Sequence, residues 1–283
     1  MCEKTPDMFK PYAQREFSTF ALESANLGHV PLAITTAQVY NAKKLLLTNI
    51  GDVPKYSRAR IQWSKKQIAS QSGLEYLAIT NGTAINSWKW TSLMKSSLRT
   101  LHIENCPFRE DHLPVKLVSD MSSDALTSLV IIKSRLKTIE DGALSQAVNL
   151  RMLSLAYNEL SEIETATFGD QKLESLWWLD LSYNNLKEIN GSVFEQLPQL
   201  THLKLNENKF STLGEPFQQR WSTFKQLEMK GNPLACKDIC WTLKAKKSPN
   251  FFLHGYCYLY ARDTHIYELL SIVTKKVYDV CQI

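Results

Sequence analysis

Four cysteines late in the chain, Cys236, Cys240, Cys257 and Cys281, are the side chains with the clearest capacity for chemistry. The CxxxC pair and the two later thiols could close two disulfides or, as thiolates, hold one tetrahedral zinc ion. The choice bears on the compartment, because disulfides persist in oxidising surroundings. No other constellation offers a reaction. The sequence has no HExxH, no glycine-rich phosphate loop and no GxSxG elbow, and its six histidines are scattered. It therefore predicts a protein that is not an enzyme and uses no metal and no cofactor.

The elements that must position these residues are repeats. LRMLSLAYNEL from Leu150, LWWLDLSYNNL from Leu176 and LTHLKLNENKF from Leu200 share the template LxxLxLxxNxL. FKQLEMKGNPL from Phe224 continues it, and LTSLVIIKSRL from Leu126, LRTLHIENCPF from Leu98 and LEYLAITNGTA from Leu74 precede it. Weaker copies start at Ala42 and Phe17, so the array has about nine units, spaced 24 to 32 residues apart. Apolar residues that alternate with polar ones in LxxLxLxx mark a short strand with one buried face. One such unit cannot bury its apolar row alone, so units stack in parallel and seal one another.

Template position nine holds Asn158, Asn184, Asn208 and Asn232, where the chain turns inward and backbone groups need partners. Cys106 and Ser134 are small enough to fit partly at that position, and Cys106 is expected to be free and buried. Gly82, Ile50 and Ala25 depart from the pattern. In the return segments Ile163 with Phe168, and Ile189 with Phe194 and Leu197, predict an aromatic spine along the convex side.

Over residues 17 to 281 the sequence resembles the leucine-rich repeat family, and its 24-residue period with a convex Phe resembles the animal extracellular class. The resemblance implies an α/β solenoid: a horseshoe with a parallel concave sheet and a disulfide-bonded C-terminal cap. The cysteines after NPLAC are similar to that cap, whose pairing in the family implies Cys236 with Cys257 and Cys240 with Cys281. The weak early copies, regular late ones and terminal cap also resemble the non-catalytic leucine-rich subunit of shrimp luciferase and its arthropod relatives, which would imply an accessory role. The expected organisation is an N-terminal segment 1–16, repeats 17–234 and a cap 235–283.

A secreted, extracellular protein follows from the cap, yet the first residues, MCEKTPDMFKPYAQREF, lack the apolar core of a signal peptide. The two agree if the sequence starts inside a longer precursor, with Cys2 either a remnant of an N-terminal cysteine cap or an ordinary unpaired thiol. No apolar run reaches the ~18 residues of a membrane span.

The net charge of +5 is unevenly placed. An insertion carrying Lys55, Arg58, Arg60, Lys65 and Lys66 contains no acid, which suits either a solvated loop or an anionic partner such as a sulfated glycan. Nucleic acid is not expected as a partner, since an oxidising compartment contains little of it. Asn81 and Asn190 head the two N-glycosylation sequons.

In each unit the template positions three, five, seven and eight should face outward on the concave sheet. Down three late repeats they are Met152, Ser154, Ala156 and Tyr157, then Trp178, Asp180, Ser182 and Tyr183, then His202, Lys204, Asn206 and Glu207. Met152, Tyr157, Trp178 and Tyr183 would form one contiguous patch rimmed by Asp180, Lys204 and Glu207, with the composition of a protein-binding hot spot or, more simply, of strand-forming residues. Trp177, at position two, is expected to pack at the strand edge. His102 and His202 lie four repeats apart, too far to share a metal at ~4.8 Å per strand.

Overall fold

The computed structural model describes residues 19–24, 42–51, 73–83, 85, 97–119, 124–245, 250–260, 267–271, 279 and 281. Segment 1–16 with Cys2, and the basic insertion from Lys55 to Lys66, lie outside them.

Template position three begins a strand in every repeat: β1 Thr19–Glu23, β2 Lys44–Thr48, β3 Tyr76–Thr80, β4 Thr100–Glu104, β5 Ser128–Ile132, β6 Met152–Ser154, β7 Trp178–Asp180, β8 His202–Lys204 and β9 Gln226–Glu228. These pair in chain order as one parallel sheet without a register slip, so that Met152 lies beside Trp178, and Trp178 beside His202. A tenth strand, β10 Phe252–His254, extends the sheet from within the cap segment. Its sequence, FFLHG, has Gly255 where the template calls for a second inner leucine, so the template does not reveal it.

Behind the sheet, leucines at positions one, four, six and eleven stack in a continuous core. In the sixth repeat these are Leu150, Leu153, Leu155 and Leu160, all buried. Convex segments close the core with short helices, α1 Gly191–Glu195 and α2 Glu215–Arg220, and with a 3-10 turn at Thr165–Phe168. Phe168, Phe194 and Phe217 are buried beneath them, and Phe194 meets Phe217 and Phe224 edge-on at 5.3 and 5.9 Å. The expected spine thus exists, on the inner side of the convex wall.

The position-nine asparagines form a ladder. Asn184 Oδ1 accepts from the Leu160 amide at 3.0 Å, while its Nδ2 donates to the carbonyls of Leu155 and Leu181 at 2.9 and 3.0 Å. Asn158, Asn208 and Asn232 repeat this pattern, each joining two units. Since all four are buried, these bonds replace contacts with water that the turn has lost. Asn185, expected to face solvent, is only half-exposed and donates to the Glu159 carbonyl at 3.3 Å.

Earlier repeats keep the ladder with other atoms. Ser134 accepts from the Asn158-linked turn's neighbour, the Cys106 amide, at 3.3 Å, and Cys106 Sγ accepts from the Gly82 amide at 3.1 Å. Cys106 is free and buried, and burial pushes its thiol up to about 11.

At the far end the cap is closed by two disulfides, Cys236–Cys257 and Cys240–Cys281, with Cα separations of 4.9 and 5.4 Å. Cys257 lies on β11 Tyr256–Tyr260, which pairs antiparallel with β12 Tyr267–Ser271. With all four thiols bonded, the zinc alternative is excluded. Chain-entropy reasoning assigns each bridge ~3 to 4 kcal/mol. Trp221, packed against Trp241 and Phe251, buries the apolar flank of the last repeat where a stack would otherwise meet water.

Candidate functional site

Position eight has a conformation that its residue types do not announce. Ser24, Asn49, Asn81, Asn105, Lys133, Tyr157, Tyr183, Glu207 and Gly231 all adopt positive φ, between 51° and 75°. The chain must turn there from strand to inward loop, and a left-handed residue makes that turn in one step. Side chains at this position therefore form a row along one rim of the sheet. Position three forms a second row. The rows lie five positions apart along each repeat, at most about 16 Å at ~3.3 Å per extended residue.

The residues of the expected patch accordingly fall in two rows. In the position-eight row, Tyr157 and Tyr183 are 45% and 43% exposed and stack face to face, with ring centroids 4.1 Å apart and planes 9° from parallel. Lys133 caps the pair from the preceding repeat, its Nζ 5.8 Å from the Tyr157 ring and 2.8 Å from Glu104. The hydroxyl of Tyr157 beside it raises the Tyr183 phenol above its usual range, and the Glu207 carboxylate adds to this.

In the position-three row, Met152, Trp178 and His202 occupy neighbouring strands. Trp177 joins them: it is 37% exposed and meets His202 edge-on at 5.0 Å, so it is part of the surface as well as packing at the strand edge. Partial burial, with the charge of Lys225, holds the His202 imidazole below its ordinary value.

Between the rows the face is lower and more polar. Ser154, Ala156 and Ser182, expected to face outward, are buried because their short side chains lie below their neighbours. Asp180 is occupied locally, its Oδ1 accepting from the Ser182 amide at 2.9 Å. Lys204 lies 5.9 Å from the Trp178 ring centroid and 3.3 Å from Glu228. Burial raises Glu228, but hydrogen bonds from Asn206 and Gln226 and the Lys204 charge outweigh it and hold the carboxyl below its usual range.

Both sequon asparagines are exposed. Asn190 Oδ1 caps α1 by accepting from the Ser192 amide at 3.2 Å, beside a cleft of about 430 Å³ lined by Ile189, Phe210, Pro216 and Phe217. Asn81 Oδ1 accepts from Asn105 at 2.7 Å. Among the described residues, no group of three or more His, Cys, Asp or Glu side chains could hold a metal, and no helix is long and apolar enough to cross a membrane.

Fold and face define a parallel-stranded repeat solenoid closed by a disulfide cap. The family model described as leucine rich repeat matches residues 124–186 and 174–234, and the parallel sheet continues with the same register on both sides of that stretch. The chain is similar to Toll-like receptor 2 type-2 and type-1 of Gallus gallus, at 40% and 39% identity over 113 residues. The matched stretch is 39% of this chain and 13% of either receptor, so it spans a small part of those relatives. Among solved structures, a crystal structure of a TLR13–ssRNA13 complex aligns over 87% of this chain and 34% of its own, with a TM-score of 0.60 and 19% identity. A leucine-rich repeat protein of Leptospira interrogans aligns over 87% and 57%, with a TM-score of 0.58 and 22% identity. Those two likenesses are of fold.

Proposed function

We propose that this is a secreted leucine-rich repeat protein that binds a protein partner through its concave face and catalyses nothing itself. The carrying observation is the exposure of Met152, Tyr157, Tyr183 and Trp177 on adjacent repeats of a rigid sheet, with Trp178 and His202 among them and Asp180, Lys204 and Glu207 alongside. Large aromatic side chains held by a stiff backbone lose little entropy on docking, which suits them to a hot spot. The two cap disulfides support an extracellular setting, and the partial likeness to receptors supports recognition. Domain limits of 17–234 for the repeats and 235–283 for the cap belong to this reading, as do N-glycans on Asn81 and Asn190.

The test is binding to whichever partner co-purifies from native secretions. Trp178→Ala is expected to weaken it by about 2 kcal/mol, roughly thirtyfold, and to leave thermal stability unchanged. Lys187→Ala, on the exposed convex side, is expected to change neither. Unfolding of the Trp178 variant would make that ring structural, and unchanged binding would remove the concave face from the interface.

A further inference from the structure

The stacked tyrosines end in an open slot. Tyr157 has both faces covered, one by Tyr183 and the other by Lys133. Tyr183 has one face covered, and among the described residues no ring or cation lies against the other. The next residue in the row is Glu207, which could have folded over that face. Instead its carboxylate lies above Gly231, one repeat further on, in the space that a Cβ at Gly231 would fill. The absence of a side chain at Gly231 draws Glu207 away from Tyr183 and leaves one repeat of depth, ~4.8 Å, beside the ring.

That slot has a definite chemistry. Its floor is an exposed aromatic face, and its far wall is a carboxylate with no ion pair or hydrogen bond among the described residues. Two cations along the concave face are engaged elsewhere, Lys133 by Glu104 and Lys204 by Glu228. We propose that the slot between Tyr183 and Glu207 receives the guanidinium of an arginine carried by the partner protein, a reading that rests on docking at the concave face. A guanidinium is planar, so it continues the stack at ring spacing, and its edge N–H groups reach a carboxylate in bidentate fashion. Lys133 shows the same attraction within the molecule at the opposite end, where an ammonium serves as a cap. An acidic side chain of the partner would meet Glu207 and be repelled.

The experiment titrates the full chain, with isotopically labelled tyrosine rings, against N-acetyl-arginine methylamide and against its neutral citrulline analogue. The Tyr183 ring signal, identified by its loss in Tyr183→Leu, is expected to shift with the arginine amide at millimolar concentration. The citrulline amide is expected to bind at least about fivefold more weakly, and Glu207→Gln to reduce arginine affinity by a similar factor. Equal response to the two amides, or an unchanged affinity in Glu207→Gln, overturns the slot. If Trp178→Ala abolishes partner binding while the amides are not distinguished, docking stands and the arginine site falls. If the arginine response holds while Trp178→Ala leaves partner binding intact, the slot stands and the docking reading falls.

Discussion

Repeats six to nine and repeats three to five solve one problem with different atoms. In the later group an asparagine at position nine takes the position-six carbonyls, and regular strand pairing stops after three residues, as in β6 Met152–Ser154. In the earlier group, with Gly82, Cys106 and Ser134 at that position, strands run for five residues, as in β4 Thr100–Glu104. Longer backbone pairing accompanies the weaker side-chain ladder. The register is the same in both groups, so the inner leucines set the stack and the asparagines tighten it.

The largest effect that would test this contrast is at Asn184. Asn184→Ala removes the acceptor for Leu160 and the donor to Leu155 and Leu181, and is expected to lower unfolding free energy by about 3 kcal/mol in denaturant titration. Ser134→Ala should cost less, about 1.5 kcal/mol, because one hydroxyl bridges a single amide and a single carbonyl. Cys106→Ala should cost about 1 kcal/mol or less, sulfur being a weak acceptor. Equal losses at Asn184 and Cys106 would break the distinction between the groups. Asn185→Ala, which removes one long and partly exposed bond, should stay within about 0.5 kcal/mol, and a larger loss would show that the rim shares the ladder's role.

Acid should divide the two regions more finely. Glu104 is held below the ordinary 4.5 by its hydrogen bond to Lys133, and Glu228 by Asn206, Gln226 and Lys204 against the opposing effect of burial. A depressed carboxyl stabilises the fold above its unfolded value, and that contribution is lost as pH falls through the folded value. Glu228 is the more enclosed, its side chain 15% exposed against 30% for Glu104. Melting temperature followed below pH 4.5 should therefore depend less steeply on pH in Glu228→Gln, with a smaller change in Glu104→Gln. The reverse order would place the dominant acid-sensitive contact in the earlier repeats.

Much of this architecture was legible because period-two leucines can be buried in one register only. Every strand from β1 to β9 starts where the template places it, and the cap cysteines pair as the family resemblance implies. Strand β10 was hidden, since FFLHG breaks the template while its backbone still pairs with β9. The two-row arrangement of the aromatic surface was hidden for a different reason. Template positions give the direction of a side chain but not its height, so Ser154, Ala156 and Ser182 face the concave side and are nonetheless covered. Trp177 shows the converse, because a bulky ring at an edge position rises into view beside His202. The left-handed row was invisible because four of its nine members, Lys133, Tyr157, Tyr183 and Glu207, are not residues that suggest a turn, and the pattern emerges only when φ is compared between repeats.

That row has a consequence for change over time. A left-handed backbone costs a non-glycine residue of the order of 1 kcal/mol, yet the position tolerates serine, asparagine, lysine, tyrosine, glutamate and glycine in one molecule. Its side chains leave the core unaltered, so each is an interchangeable fitting on a fixed rail with one mounting point per repeat. New specificities could be assembled there residue by residue without repacking the interior, and a glycine at any mounting point would trade a contact for backbone ease.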